Sequence, residues 1–289
     1  MKRKGALYHL MALIAVIFWG LTFISTKVLI INGLNPVEIF LIRFSIAYVV
    51  ALLFSHSKLK ADSVREETMM LAAGVTGGSF YYVVENSALE YTFASNVSLI
   101  ICCAPIFTIL LGKYIFKDKV KAYVWIGSIL AFIGVGVVIL SSTGEYGINP
   151  IGDFLTLLAA LSWAIYSLLL KKLTPKYGDM FITRKVFGYG VVTGVIFYFL
   201  LPYSNTIEVE NIWSVIGNLL FLSLGASFLC YYLWNNAIRH LGAERTSNYI
   251  YLNPLITIIA SSIILSEPFS AIMALGTALI IGGVVLSTR

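Results

Sequence analysis

Apolar residues fill long, nearly unbroken runs along this chain, and Gly, Pro and charged residues separate one run from the next. A helix needs roughly 20 apolar residues to cross a hydrocarbon layer about 30 Å thick, so runs of this length predict transmembrane helices. We predict ten of them, near residues 8–31, 36–54, 69–87, 93–116, 122–140, 151–170, 181–201, 212–238, 246–266 and 270–287. The predicted fold class is an all-α integral membrane protein.

The composition supports this prediction. Of the 289 residues, 59% are hydrophobic and 12% are charged, whereas soluble domains are close to half apolar and a quarter charged. The formal net charge of +6 does not indicate nucleic-acid binding, because the basic residues sit in short loops between apolar runs. We therefore expect the lipid bilayer as a partner and no nucleic acid.

The distribution of Lys and Arg predicts the orientation in the membrane. Eighteen of the 20 fall at the two termini and in or beside alternate loops, two lie within predicted spans, and the remaining loops carry none. Short cytoplasmic loops retain positive residues during insertion. Both termini are therefore predicted to be cytoplasmic, in a multi-pass protein of the inner (plasma) membrane.

The chain also contains an internal repeat. A shift of 149 positions aligns residues 71–137 with 220–286 without a gap and gives 16 identities in 67 positions, including Asn86 with Asn235 and Pro105 with Pro254. Lysines around the fourth loop correspond to uncharged residues in the second copy, so charge changes where the direction of insertion changes. We predict two inverted five-helix repeats, residues 1–144 and 145–289, as in many secondary transporters.

Two prolines mark candidate gating positions. Pro105 and Pro254 lie near the middle of the fourth and ninth predicted spans, where proline removes a backbone hydrogen bond and disturbs the helix. Interruptions at matching places in both halves are typical of a substrate site at the membrane midplane. A packing kink with no ligand role is the alternative interpretation.

Two basic residues inside predicted spans need an explanation, because charge in the membrane is costly. Lys27 is four residues from the outer end of the first span. Its side chain can therefore either extend to the membrane interface or face a cavity, and the sequence does not decide between these roles. Arg43 lies deeper in the second span and is predicted to pair with a carboxylate on another helix, with Glu85 or Glu90 as the candidate. Such a pair can be structural or can bind substrate.

Polar and aromatic residues of several spans are candidates for a cavity lining. They are Tyr82, Asn86, Trp163, Tyr166, Asn235 and Asn248, which we group with Lys27, Arg43 and Glu85 as predicted substrate-binding residues. Apolar cavities with a few polar groups suit small solutes. Hydrogen bonding between helices is the alternative role for each Asn. Small residues at 74, 77, 78 and 225–227 are explained by close helix packing, and we assign them no chemistry.

Signs of an enzyme are weak. His9, His56 and His240 are far apart, and no zinc-binding pair, nucleophile elbow or phosphate-binding loop occurs. The three Cys residues lie in apolar segments without metal-type spacing. We expect neither catalysis nor a cofactor nor a metal.

Several motifs together resemble the EamA-type branch of the drug/metabolite transporter superfamily. They are Phe18-Trp19-Gly20 with Lys27, Arg43-Phe44, the two mid-span prolines, and the paired glycines Gly127, Gly134, Gly276 and Gly283, preceded by Asp118 and Glu267. The resemblance covers nearly the whole chain. It implies ten spans in an inverted repeat, cytoplasmic termini, a central cavity and export of amino acids or other metabolites.

The sequence thus favours a secondary transporter that moves a small metabolite, an amino acid or a related amphipathic solute, by alternating access. A membrane-embedded enzyme and a passive channel or lipid flippase are the alternatives. The substrate, the direction, the coupling ion and the formation of a homodimer are left open by the sequence.

Overall fold

A computed structural model of the chain describes residues 2–55, 59–116, 121–141, 150–201, 211–241, 246, 248–267 and 270–287. Within these ranges every regular element is a helix. The α-helices are α1 (Lys2–Ile31), α2 (Pro36–Phe54), α3 (Val64–Gly74), α4 (Phe80–Tyr91), α5 (Ala94–Ile101), α6 (Ala104–Phe116), α7 (Ala122–Ser141), α8 (Pro150–Leu173), α9 (Asp179–Leu200), α10 (Ile212–Leu220), α11 (Cys230–Leu241), α12 (Asn253–Ile264) and α13 (Ala271–Ser287).

Within the described part of the chain, six helical segments are long and apolar enough to cross a membrane. They are Ala6–Ile31, Pro36–Phe54, Ala94–Ile115, Pro150–Leu173, Asp179–Leu200 and Ile212–Leu241, and shorter apolar helices cover Ala122–Val138, Tyr249–Ile264 and Ala271–Gly283. The prediction of an all-α, multi-pass membrane protein is confirmed. The count of ten spans and the cytoplasmic termini stay predictions.

The fourth predicted span is divided into two helices. α5 ends at Ile101, a turn covers Cys102 and Cys103, and α6 begins at Ala104. Pro105 therefore lies in the first turn of a new helix, where its missing N–H is tolerated. In the ninth predicted span, a short 3₁₀ helix (Asn248–Leu252) precedes α12, and Pro254 again lies in the first turn. Both prolines thus follow a helix break, rather than kinking one continuous helix.

Two further interruptions are π-helical segments, in which the helix is locally wider than an α-helix. Val75–Ser79 joins α3 to α4, and Phe221–Leu229 joins α10 to α11. A shift of 149 positions carries the first segment onto residues 224–228, inside the second. The interruptions therefore repeat in the two halves, and the sequence analysis did not predict them.

α7 and α13 cross at glycines. A Cβ on Gly134 would lie 2.8 Å from the Gly276 carbonyl oxygen, and one on Gly283 would lie 2.5 Å from that of Gly127. In the repeat, Gly127 is equivalent to Gly276 and Gly134 to Gly283. Each contact therefore joins the first glycine of one helix to the second of the other, so the two helices run antiparallel. Opposite directions of equivalent helices are what an inverted repeat requires.

Candidate functional site

A cavity lies where helices of both halves meet. Seven helices contribute to its wall: α1, α4, α5, α6, α8, α12 and the 3₁₀ helix. The lining residues are aromatic (Trp19, Phe23, Tyr81, Tyr82 and Trp163), polar (Thr22, Glu85 and Asn253) and apolar (Ile101, Ala104 and Ile250). Its volume is about 30 Å³, which is room for roughly one or two water molecules. The space therefore has to enlarge before it can hold a metabolite.

Aromatic rings form much of the cavity wall. The Trp19 and Trp163 rings meet edge to face with centroids 5.7 Å apart, and Tyr81 packs on Trp163 at 5.1 Å. Tyr82 is perpendicular to Tyr81 at 4.8 Å. Rings at these distances and angles attract one another and pack rigidly, so they give the cavity a defined shape.

Glu85 is the one carboxylate among the lining residues that the structure describes. It is 5% exposed, and its Oε1 accepts a hydrogen bond of 2.5 Å from the Tyr81 hydroxyl, one helical turn earlier on α4. Asn253, at the start of α12, is also buried, and its Oδ1 has no hydrogen-bond partner among the described residues. Oxygen acceptors are thus present on both sides of the cavity.

Arg43 is buried behind the cavity wall. Its Nε donates to Ser227 Oγ at 2.5 Å, a terminal nitrogen donates to the Tyr82 hydroxyl at 3.3 Å, and its guanidinium lies 4.3 Å from the Tyr82 ring centroid. No carboxylate of the described chain lies within 4.0 Å of it. The structure therefore lacks the predicted ion pair with Glu85 or Glu90, because the guanidinium is directed to a hydroxyl and an aromatic face instead.

Lys27 is half-buried at the end of α4. Its Nζ donates to the Leu89 carbonyl and, at 3.2 Å, to the Thr92 carbonyl. Leu89 belongs to the last turn of α4 and Thr92 follows its end directly, and cations are favourable at this end of a helix. Lys27 therefore caps α4 and does not line the cavity.

Asn86 and Asn235, the repeat-equivalent asparagines, join helices outside the cavity. The side-chain amide of Asn86 on α4 donates to the Pro36 carbonyl of α2 at 3.0 Å. That of Asn235 on α11 donates to Thr183 Oγ1 of α9 at 2.9 Å. These contacts fit the alternative role of hydrogen bonding between helices. The side chain of Asn248 lies outside the described part of the chain.

The π-helical segments present backbone carbonyls to aromatic donors. Gly77 accepts a hydrogen bond from the Tyr231 hydroxyl at 2.8 Å, and Ala226 accepts one from Trp19 Nε1 at 2.9 Å. Gly77 and Ala226 are equivalent in the repeat. A wider turn frees carbonyls that an α-helix would use internally, and such turns are frequent at functional sites. The small residues that we assigned to packing alone therefore also hold the aromatic wall.

The cavity brings together three of the predicted binding residues, Tyr82, Glu85 and Trp163. Tyr166 packs behind Trp163 with ring centroids 5.1 Å apart, and Pro105 and Pro254 each follow a lining residue directly. The binding and gating roles stay predictions.

Three important lining residues were missed as binding candidates: Trp19, Tyr81 and Asn253. Signals for them existed, since Trp19 is part of an aromatic motif, Tyr81 precedes Glu85 by four residues, and Asn253 precedes a mid-span proline.

A cluster of ion pairs holds α3 to α9 and to the segment that precedes α9. Lys176 pairs with Glu66, which also accepts from the Tyr177 hydroxyl at 2.7 Å, and Lys185 pairs with Glu67. Hydrogen bonds from Lys176 and Tyr177 lower the pKa of Glu66 to about 2. We call these pairs the ion-pair cluster; they connect the first half of the chain with the second.

No group of three or more potential metal ligands occurs within the described ranges. The cavity therefore combines aromatic surface, two oxygen acceptors and lining from both halves of the chain. The composition of this lining suits a small organic solute once the space enlarges.

Comparisons with known proteins agree with these features. The model of the EamA-like transporter family matches residues 6–140 and again 150–289. An uncharacterized transporter of Archaeoglobus fulgidus is 28% identical over 280 residues, 96% of each chain. A protein of Salmonella typhimurium described as a probable amino-acid metabolite efflux pump is 25% identical over 295 residues, 99% of this chain and 95% of the relative.

A solved crystal structure has the same fold. It superposes with a TM-score of 0.67 at 18% sequence identity and covers 97% of this chain and 98% of its own. Two successive matches to one family model also account for the internal repeat seen in the sequence. The chain belongs to the EamA-like transporter family.

Proposed function

We propose that this protein is a secondary transporter that exports a small metabolite, an amino acid or a related amphipathic solute, by alternating access. It has ten spans in two inverted halves, residues 1–144 and 145–289, with both termini in the cytoplasm. The observation that carries the proposal is the cavity between the halves, which is bordered by helix breaks at equivalent positions, before Pro105 and before Pro254.

Helix breaks beside a shared cavity suit transport. A break leaves backbone groups without helical partners and allows the two half-helices to change their relative angle. In inverted-repeat transporters the substrate site lies near the midplane between such discontinuous helices. Here the breaks at Cys102–Cys103 and Asn248–Leu252 adjoin lining residues from both halves.

The small cavity volume and the ion-pair cluster fit a closed state. In the proposed orientation the cluster lies at the cytoplasmic end, where α3 of the first half meets Lys176 and Lys185 of the second. A solute can enter from the cytoplasm only when these contacts separate. The cluster then acts as the cytoplasmic gate of an alternating-access cycle.

The relatives support transport and suggest the solute class. Export of an amino-acid metabolite is proposed here by likeness to the Salmonella typhimurium relative, whose description names an efflux pump. A sequence identity of 25% over nearly the whole chain supports a shared mode of action more strongly than a shared solute.

Solute counterflow in proteoliposomes tests the proposal. Vesicles loaded with an unlabelled amino acid or amine accumulate the same labelled solute transiently if a carrier exchanges it, whereas a passive channel gives no accumulation above equilibrium. Each solute is run with and without a proton gradient, and empty liposomes are the control. Accumulation of unchanged solute supports a transporter; chemical conversion of the solute would support an enzyme instead.

Lipid movement is the remaining alternative. The same vesicles with a fluorescent phospholipid in one leaflet report flippase activity. We expect its redistribution to match that in protein-free vesicles. Rapid redistribution without solute counterflow would contradict the proposal.

A further inference from the structure

Two of the polar groups that line the cavity each have one acceptor oxygen that receives no hydrogen bond from the described residues. Glu85 uses Oε1 for the Tyr81 hydroxyl, and Oε2 takes no hydrogen bond from the described residues. Asn253 Oδ1, on the other half of the chain, is buried and unpaired. The hydroxyls beside them are engaged, since Tyr81 donates to Glu85 and Thr22 donates to the Trp19 carbonyl at 2.7 Å. A ligand that donates hydrogen bonds would satisfy both free oxygens.

The charges around the cavity are unbalanced. Among the described residues, those that line it include one carboxylate and no Lys, Arg or His. The nearest deeply buried cation, Arg43, is behind the Tyr82 ring and directs its nitrogens to Ser227 and the Tyr82 hydroxyl. Arg43 favours the ionised form of Glu85 from a distance, but it makes no ion pair with the carboxylate. Burial of an ionised carboxylate without a direct partner is costly, and a cationic ligand in contact with Glu85 lowers this cost.

The aromatic wall favours the same kind of ligand. Trp19, Tyr81 and Trp163 surround the space next to Glu85, with neighbouring ring centroids 5.1 to 5.7 Å apart. A cation over the face of Trp or Tyr is attracted by the ring electrons, and the attraction is stronger away from water. Aromatic rings and one carboxylate together are a typical environment for an organic ammonium group.

We propose that the cavity binds the ammonium group of the transported solute, with Glu85 as its counter-ion, Asn253 as a second acceptor and the rings of Trp19, Tyr81 and Trp163 around it. This inference rests on the proposed transport function and specifies its substrate class. The shared chemistry is a primary ammonium group, which an amine and an amino acid both carry.

Four probes with the same carbon chain test this inference in the purified full-length protein: butylamine, 2-aminobutanoate, butanoate and butanol. The measurement is the rise of the unfolding midpoint with probe concentration, because a ligand that binds the folded state stabilises it. We expect butylamine to raise the midpoint, and butanoate and butanol to leave it unchanged. The inference is overturned if butanoate or butanol raises the midpoint as much as butylamine does. It is also overturned if neither ammonium compound raises the midpoint.

The amino acid probe separates two sources of the ammonium group. If 2-aminobutanoate alone stabilises the protein and Glu85→Gln abolishes this stabilisation, the site binds an amino acid. If Glu85→Gln leaves the stabilisation by 2-aminobutanoate intact, the inference is overturned. Stabilisation by butylamine assigns the site to the ammonium group without a carboxylate.

Variants assign the subsite to its residues. Glu85→Gln keeps the shape but removes the charge, and should weaken butylamine binding about tenfold or more. Trp163→Leu should weaken it about fivefold by removing a ring face, while Trp163→Phe keeps most of the affinity. The matched control is Glu90→Gln, which removes an exposed carboxylate from the end of the same helix and leaves affinity unchanged. Equal affinity in Glu85→Gln and Glu90→Gln overturns the inference.

Failure of this inference differs from failure of the proposed function. Counterflow of acids or neutral solutes, without amine binding, overturns the ammonium site and leaves transport intact. If amine binding depends on Glu85 but no solute shows counterflow, the ammonium site is supported and the proposed transport function is contradicted.

Discussion

Arg43 and Lys27 are both cations inside predicted spans, and the structure gives them different surroundings. Arg43 is 1% exposed and holds Ser227 and Tyr82 of two different halves. Lys27 is half-buried and caps the last turn of α4. A buried guanidinium fixes more of the surrounding structure than a lysine at a helix end, because its partners have no water to replace it.

We therefore predict that Arg43→Ala lowers folding yield or transport far more than Lys27→Ala does. Removing Arg43 leaves the Ser227 hydroxyl without its partner in the core, at a cost of about 1–3 kcal/mol, and leaves the Tyr82 hydroxyl with the Tyr231 hydroxyl at 3.4 Å. The measurement is the yield of monodisperse protein, followed by counterflow of the active solute. Equal and negligible effects of the two substitutions would show that Arg43 does not organise the core.

At this scale the sequence predicted the residue types better than their partners. Three of the residues that it selected, Tyr82, Glu85 and Trp163, line the cavity, and their role in binding stays a prediction. It could not predict that Arg43 turns toward Ser227, since that contact joins positions 184 residues apart through a π-helical segment.

Among the elements, the prolines lie at helix starts, whereas the sequence suggested positions in the middle of continuous helices. Both stand in the first turn of a half-helix, after a break that other residues form. Proline fixes the backbone at this position and cannot donate a hydrogen bond across the break. It therefore keeps the two half-helices separate.

We predict that Pro105→Ala and Pro254→Ala lower the transport rate and change substrate affinity by no more than a few-fold. Alanine permits the half-helices to join, which shifts the balance between states without removing a lining side chain. Initial counterflow rates over a range of solute concentrations separate the two quantities. Unchanged rates in both variants would mean that the prolines only pack.

The π-helical segment at Val75–Ser79 permits close approach of another helix. A Cβ on Gly77 would lie 2.3 Å from the Tyr166 ring. We predict that Gly77→Ala destabilises the protein by about 1–3 kcal/mol, the usual cost of overpacking. Gly136→Ala is the control, since nothing lies within 4 Å of that Cβ. Thermal unfolding in detergent measures both; equal midpoints would refute the close packing.

The sequence predicted which segments are helical, because apolar length alone indicates a span. It did not predict where the helices widen or break. Glycines at 74, 77 and 78 are compatible with a regular helix that packs closely, and only the positions of Tyr166 and Tyr231 show why the helix widens there.

For the whole molecule, the orientation is the simplest prediction to test. Single cysteines replace exposed residues at proposed outer positions, Tyr91 and Trp213, and at a proposed inner position, Val64. The native cysteines, Cys102, Cys103 and Cys230, are buried and should react little. We expect an impermeant thiol reagent added outside intact cells to label Tyr91→Cys and Trp213→Cys only. Labelling of Val64→Cys from outside would reverse the orientation.

The repeat was the most informative whole-chain signal. Paired prolines in the sequence indicated interruptions at matching places in the two halves. The antiparallel crossing of α7 and α13 at the paired glycines was not predicted. The ion-pair cluster was not anticipated, because Glu66 and Lys176 are 110 residues apart and belong to different halves.

In the proposed mechanism, one cavity opens to the two sides of the membrane in turn. Labelling of a cavity cysteine, Thr22→Cys, from each side of oriented vesicles tests it most directly. Glu66→Gln with Glu67→Gln removes the carboxylates of the ion-pair cluster, and Arg65→Gln is the control at an exposed neighbouring position. We expect faster labelling from the cytoplasmic side and slower labelling from the outside in the double variant, with no change in the control. A parallel increase from both sides, or no change from either, would contradict alternating access.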